Sequence, residues 1–387
     1  MFRTFITAAF LLIAALPVNA FETSATAAYV YDLTTGTVLL SKNANEPLPP
    51  ASMSKLMTLY VTFEAIKRGQ LRMTDELAVS SHANSYGGST LFLRTGERVS
   101  VEDLVRGVIV LSGNDACVVI AEALSPDGSE KGFAKMMTVR AREIGMKNST
   151  FMNSNGWPAT GHSMSMKDLG ILATRLIEDF PEFYPMFAET EFLFDANESA
   201  NRYNRNPLLK LGIGADGLKT GHTKEAGYGL TGSAQQDNRR IVFVVSGLES
   251  AANRAQETEA IVNWAFRQFV ERTLAKQGQR ITTASVWEGG EPTVGLVPAK
   301  DISILLPVIS NKSVTAEVVY TGPIQAPIIA GTPLAELVLQ PEGLPKQRFV
   351  LVAENDVVHG GFLAKISTAA KALINQIKNT PMEKSGA

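Results

Sequence analysis

Apolar and polar positions change texture several times along the chain. "AAYVYDLTTGTVLLS", Ala27–Ser41, holds two β-rich runs around a Thr-Thr-Gly turn and predicts a hairpin. Met53, Leu56, Tyr60, Phe63 and Ile66 then recur at helical spacing until Gly69, and further helical periods cover Val101–Leu111, Asp115–Leu124, Lys131–Ile144 and Met166–Leu176. From Ala215 the pattern returns to strands in "GLKTG", "YGLTGSA" and "RIVFVVSGL", followed by a helical period over Arg254–Phe269. Strands at both ends with helices between predict an α/β (α+β) domain over residues 21–279, its one sheet closed by the two ends of the segment. Beyond it, "SILLPV", "TAEVVYTG", "LAELVLQ" and "RFVLVA" alternate between Pro/Gly turns and predict a small all-β sandwich at 280–360.

The two ends carry different signals. Met1–Phe2–Arg3, an apolar run over Ile6–Leu16 and "PVNA" ending at Ala20 make residues 1–20 a secretory signal peptide, with a run too short to span a membrane. At the other end, residues 361–387 hold a helical pattern and a polar tail. Phe362, Leu363, Ile366, Ala369, Ala370, Leu373, Ile374 and Ile377 fall within an arc of roughly 140° on a helical wheel. Lys365, Lys371 and Lys378 lie outside that arc, and the span has no acidic residue. An apolar face with basic flanks suits an amphipathic helix lying in an anionic membrane surface, although a helix packed on the β-rich domain shows the same period.

Composition narrows the chemistry. The 387 residues carry 36 Lys and Arg against 38 Asp and Glu, a formal charge of −2 that becomes about −3 when Arg3 leaves with the signal peptide. No basic face for nucleic acid is indicated. Cys117 is the single cysteine, so an exported chain has no internal disulfide. Metal spacing is missing: there is neither CxxC nor HExxH, and His82, His162, His222 and His359 are scattered.

Ser52 stands three residues before Lys55 in "PASMSKLMT". SxxK arises about once or twice by composition in a chain this long, and a helix cap with a surface lysine reads equally well. The physical case is stronger. Residues three apart share a helix face, so the Ser52 hydroxyl would lie beside the Lys55 amine, with the helix N-terminus favouring an alkoxide. An SxN triplet occurs at Ser41–Asn43, Ser112–Asn114 and Ser199–Asn201. Only "LSGNDAC" joins two helical runs, where a tight turn can aim Ser112 and Asn114 into a cleft. KTG occurs once, at Lys219–Gly221, on an expected strand with His222 next. "GIGADG", Gly212–Gly217, matches a dinucleotide fingerprint but leads into a strand, and His222 lacks the GxSxG elbow of a Ser-His-Asp triad. Cys117 is expected to be a buried helix residue.

SxxK, SxN and KTG in this order resemble the motif set of penicillin-binding proteins and class A β-lactamases. The longer matches "PASMSKLMT", "LSGNDAC" and "DGLKTGHTKEAGYGL" resemble the low-molecular-mass penicillin-binding proteins that are D-alanyl-D-alanine carboxypeptidases. Ser54 replaces a frequent threonine, and Gly229 a larger residue. The resemblance implies a penicillin-binding transpeptidase-like domain with an antiparallel sheet and no cofactor. The implied substrate is a peptidoglycan stem peptide ending in D-Ala-D-Ala, β-lactams are covalent inhibitors, and the enzyme sits on the periplasmic side of the inner membrane. It makes Ser52 the nucleophile, Lys55 its base, and Ser112 and Asn114 their partners. Lys219, Thr220 and Arg254 would bind the substrate carboxylate, Gly221 would line the same substrate site, and the backbone N–H groups of Ser52 and His222 would bind the oxyanion. A free lysine titrates near about 10.4, so a neutral Lys55 near pH 7 needs roughly 4 kcal/mol of selective destabilisation of the ammonium. Related activities share these motifs: a β-lactamase, for which no "ExxLN"-like segment stands between Asn114 and Lys219, a D,D-endopeptidase, and a catalytically silent peptidoglycan-binding scaffold.

Overall fold

The computed structural model describes residues 21–361, except residue 199, residues 309–313 and residue 342. The signal-peptide and C-terminal helix expectations lie outside the described residues. β1 (Ala27–Asp32) and β2 (Thr37–Lys42) form the expected hairpin. Helices follow: α1 (Lys55–Lys67), α2 (Ser81–Asn84), α3 (Val101–Arg106), α4 (Asn114–Leu124), α5 (Glu130–Glu143) and α6 (Met166–Asp179), with a small ribbon of β3 (Glu76–Ala78) and β4 (Arg98–Ser100) among them. β5 (Ala215–Thr223), β6 (Gly227–Gln236) and β7 (Arg239–Leu248) complete an antiparallel sheet of order β2-β1-β7-β6-β5, and α7 (Ala251–Arg267) follows.

Period-two alternation assigns the two faces of this sheet. Tyr29, Val242 and Val244 join the core with α1, α4 and α6, whereas Val30, Phe243 and Val245 pack with Ile261, Val262 and Ala265 of α7. α1 is apolar or threonine nearly all round and lies buried on nearly all sides, so it is the central helix of the domain. Its inner threonines are satisfied locally, as Thr62 Oγ1 donates to the Thr58 carbonyl at 2.7 Å. Serines cap the outer helices: the hydroxyls of Ser100, Ser129, Ser165 and Ser250 each accept a backbone N–H three residues on.

Two details depart from the simple helical periods. The stretch before Lys55 is a 3-10 turn, Ala51–Ser54, and α1 begins only at Lys55. The Val101–Leu111 period is α3 followed by a π-helical turn, Gly107–Leu111, that ends with Ser112 in the left-handed region at φ 65°.

The second unit is all-β. β8 (Phe269–Ala275), β9 (Thr282–Trp287), β10 (Thr293–Pro298), β11 (Ile302–Pro307), β12 (Thr315–Val319), β13 (Ile324–Gln325), β14 (Pro333–Gln340) and β15 (Gln347–Ala353) form a six-stranded sheet of order β12-β14-β15-β10-β9-β13 and a β8–β11 ribbon. Ile302 and Ile304 of the ribbon share a core with Ala284, Leu296, Leu337 and Leu351 of the sheet, which makes a sandwich. β8 starts well before the expected division at 279, because no Gly or Pro before Gly278 marks the change from α7 to strand. Phe269, Leu305 and Leu344 pack with Leu39 and Trp264, joining the sandwich to the first domain.

Candidate active site

Lys55 is the centre of the site. Its side chain is fully buried, and its Nζ donates to Ser52 Oγ at 2.7 Å, to Asn114 Oδ1 at 2.7 Å and to the Asn155 carbonyl at 2.9 Å. Ser52 lies in the 3-10 turn, one turn ahead of Lys55, so the two share a face as the spacing requires. The helix-cap alternative fails, since neither Pro50 nor Ser54 at the two N-cap positions makes a side-chain cap bond and the Ser52 hydroxyl meets the amine. Burial brings the Lys55 amine down to about 8; Arg205 pushes the same way, whereas the Asp115 carboxylate opposes it.

The SGN turn is held from several sides. Asn114 donates through Nδ2 to the Gly87 carbonyl at 2.8 Å and through its backbone N–H to the Ser89 carbonyl at 2.7 Å, while Oδ1 faces Lys55. Asp115 turns away from the cleft and accepts the backbone N–H groups of Leu91, Leu93 and Ala116 at 2.9–3.1 Å, which anchors the segment that rims Asn114. Ser112, buried, is set by the end of the π-helical turn. Cys117 is buried on α4, and burial raises its thiol to about 12, so it stays protonated.

Edge strand β5 forms the other wall. Gly221 lets it approach: a Cβ there would lie 3.0 Å from the Pro50 carbonyl oxygen and 3.1–3.2 Å from the Met53 and Ala51 side chains. Lys219 and Thr220 are buried, and the Lys219 amine donates to the Thr220 carbonyl at 3.2 Å. Burial, then Lys55 and Arg205, hold the Lys219 pKa well below its usual value. His222 is exposed and stacks on Tyr228 at 3.9 Å between ring centroids. Arg254 is only 8% exposed, despite its place at a helix start; its guanidinium lies 5.8 Å over the Tyr228 ring and its Nε is buried without a hydrogen-bond partner.

Sequence reasoning missed Arg205 and Asn155. Arg205 lies in the polar loop "NESANRYNRN", donates to Ser89 Oγ at 2.6 Å, and offers its backbone carbonyl to Arg254 at 3.3 Å. Burial lowers the pKa of both arginines. The SxN triplet of that loop, Ser199–Asn201, does not include Arg205, so no motif marks the arginine. Asn155 works through its main-chain carbonyl, which leaves no side-chain signal; Gly156, at φ 81°, permits it, because a Cβ there would stand 1.9 Å from the Ala51 carbonyl oxygen. Of the other SxN triplets, Asn43 bonds the Thr26 carbonyl at 2.9 Å at the end of β2, and residue 199 lies outside the described residues.

The cleft therefore joins a serine, two buried lysines with lowered pKa values, an amide and two arginines. A family profile described as D-alanyl-D-alanine carboxypeptidase matches residues 14–250. The chain belongs to the D-alanyl-D-alanine carboxypeptidase family. A second profile, described as the C-terminal domain of penicillin-binding protein 5, matches residues 269–359, the span of the sandwich from β8 onward. The chain is 36% identical over 342 residues to the D-alanyl-D-alanine carboxypeptidase DacF of Bacillus subtilis, covering 88% of this chain and 87% of that one. It is 34% identical over 357 residues to DacC of Escherichia coli, covering 90% and 88%. Penicillin-binding protein 5 from Haemophilus influenzae superposes with a TM-score of 0.78 at 32% identity, over 88% of this chain and all of that one. Penicillin-binding protein D2 from Listeria monocytogenes, solved in its ampicillin-bound form, gives 0.57 at 31% identity over 63% of this chain and 98% of that one.

Proposed function

We propose that the protein removes the terminal D-alanine from peptidoglycan stem peptides ending in D-Ala-D-Ala through an acyl-enzyme on Ser52. The observation that carries this reading is the buried Lys55 amine, 2.7 Å from Ser52 Oγ and with its pKa brought down to about 8. The neutral amine takes the Ser52 proton as Oγ bonds to the penultimate carbonyl carbon. The C–N bond then breaks, and the leaving D-alanine amine takes a proton passed from Lys55 through Ser112. Asn114 holds Lys55 and the substrate amide. Water attacks the ester next, releasing the shortened peptide and restoring the Ser52 hydroxyl.

Binding follows from charge. Lys219, Thr220, Arg205 and Arg254 gather positive potential and donors where the substrate carboxylate belongs, and the unpartnered Arg254 Nε is a buried donor awaiting an acceptor. Gly221 keeps β5 close enough for the backbone N–H groups of His222 and Ser52 to face one oxyanion, each such donor being worth about 3 kcal/mol. A β-lactam supplies a carboxylate and a strained amide to the same groups, in line with the ampicillin-bound relative. Export by residues 1–20, a catalytic unit followed by the sandwich, and attachment of residues 361–387 to the periplasmic membrane surface complete the proposal. No helix among the described residues is long and apolar enough to cross a membrane.

The test is release of free D-alanine from diacetyl-Lys-D-Ala-D-Ala. Lys219→Gln should reduce kcat/KM while the melting temperature holds, and the reduction should shrink when the terminal carboxylate is amidated. Equal reductions on both peptides would remove Lys219 from carboxylate recognition, and no D-alanine from the unmodified protein would overturn the activity.

A further inference from the structure

Glu130 opens α5 between the exposed Asp127 and Lys131, where a carboxylate could face water, yet it is turned inward and is only 7% exposed. Burying a carboxylate is costly unless donors surround it. Here four do. Oε1 accepts from the Ser154 backbone N–H at 2.9 Å and from the Ser154 hydroxyl at 2.6 Å, and Oε2 from the Tyr86 hydroxyl at 2.8 Å and from His82 Nε2 at 2.9 Å. Burial and the Glu130 charge hold the Tyr86 phenol well above its usual pKa, so it stays a donor. None of these partners is Ser52 or Lys55, and the proposed reaction gives this carboxylate no chemical step.

The two oxygens hold the two segments that meet around the Lys55 amine. On one side Ser154 precedes Asn155, whose carbonyl accepts from Lys55 Nζ at 2.9 Å, while the Ser154 carbonyl accepts from Thr58 Oγ1, one turn along α1 from Lys55. On the other side Tyr86 precedes Gly87, whose carbonyl holds Asn114 Nδ2 at 2.8 Å and so turns Asn114 Oδ1 toward Lys55 Nζ, 2.7 Å away. Two of the three acceptors around that amine thus trace back to one carboxylate. If either slackens, the amine is free to swing away from Ser52 Oγ.

Resting on the carboxypeptidase reading, we propose that Glu130 is a positioning residue: it clamps residues 82–87 to residues 154–155 and thereby holds the Lys55 amine against Ser52 Oγ. The clamp supplies geometry, not charge. A glutamine can make the same four contacts, since its Oε1 accepts from Ser154 and its Nε2 donates to Tyr86 Oη and to the His82 ring nitrogen in the other tautomer. An alanine makes none of them.

The experiment follows penicillin labelling of the full chain against antibiotic concentration, because the saturating rate constant does not depend on the folded fraction, which enters the amplitude alone. In Glu130→Ala the saturating rate should fall about 30-fold with the half-saturating concentration within about three-fold, since a misplaced reacting group loses rate more than binding. Glu130→Gln should recover the rate to within about three-fold of the unmodified protein. Tyr86→Phe deletes one donor and keeps the ring beside Trp157, so it reads the same clamp should Glu130→Ala not fold, with an expected fall of about five-fold. A saturating rate unchanged in Glu130→Ala or in Tyr86→Phe would leave Glu130 a purely structural group, and equal losses in Glu130→Gln and Glu130→Ala would assign the effect to charge. Either result overturns the inference and leaves the carboxypeptidase reading standing. Failure of the unmodified protein to release D-alanine from diacetyl-Lys-D-Ala-D-Ala overturns that reading and the inference with it.

Discussion

At the scale of single residues, the proposed function rests on making one lysine a base. Lys55 has three hydrogen-bond acceptors in its pocket, which suit an ammonium, and complete burial, which opposes one; burial wins and the amine titrates near 8 instead of above 10. The neutral fraction therefore grows as pH rises, and the second-order rate of acylation should climb through about pH 8 before levelling. A flat profile between pH 6 and 9 would contradict Lys55 as base. Lys55→Arg keeps the positive charge but cannot be deprotonated, so acylation should fall by at least about 100-fold. Rapid penicillin labelling of that variant would show that another group takes the proton. That Ser52, Lys55, Asn114 and Lys219 come together was legible because each stands in a short motif whose spacing has a geometric meaning. Arg205 was not: its role depends on a loop brought to the cleft from a distant part of the chain, where it bonds Ser89.

Elements show the same division. Periodicity located the sheet strands and the long helices because burial on one face or two imposes the repeat. It could not show that the helical period before Ser112 widens into a π-helical turn, or that Ser52 sits in a 3-10 turn, since local hydrogen-bond register leaves the apolar pattern unchanged. A further tie was invisible for its length: His162 and Ser54 bond at 2.8 Å across more than a hundred residues and hold the 152–162 segment to the nucleophile turn. Met152 N–H donates to Nδ1 at 3.3 Å, so the neutral ring carries its proton on Nε2 and donates to Ser54. Burial lowers the His162 pKa from 6.5 to about 4. The unfolded imidazole thus binds a proton below about pH 6.5 and the folded one only below about pH 4. This stabilising contribution is complete above pH 6.5 and is lost as pH falls through 4, amounting to roughly 3 kcal/mol. Denaturant titrations of the protein and of His162→Gln between pH 7 and 4 should show a shallower decline in the variant. Parallel declines would mean that His162 titrates alike in both states.

On the scale of the whole molecule, the active cleft lies within the first domain, and the sandwich is joined to it through Leu39, Trp264, Phe269, Leu305 and Leu344, together with a hydrogen bond from Gln347 to Thr37. The chemistry should therefore be indifferent to the residues beyond the sandwich. Ending the chain at Gly361 should preserve hydrolysis of a soluble peptide within about two-fold, while moving the protein from the membrane pellet to the soluble fraction. Continued sedimentation with membranes would place attachment elsewhere. The sandwich itself was legible as alternating runs, but its start was not, because the α7-to-β8 junction has no turn residue.

The central claim is that Ser52, activated by Lys55, becomes covalently acylated. Peptide mass spectrometry of the full chain after brief exposure to penicillin tests it most directly. One adduct should form, on the peptide containing Ser52, and Ser52→Ala should carry none; a label on any other residue, or labelling undiminished in Ser52→Ala, would contradict the account.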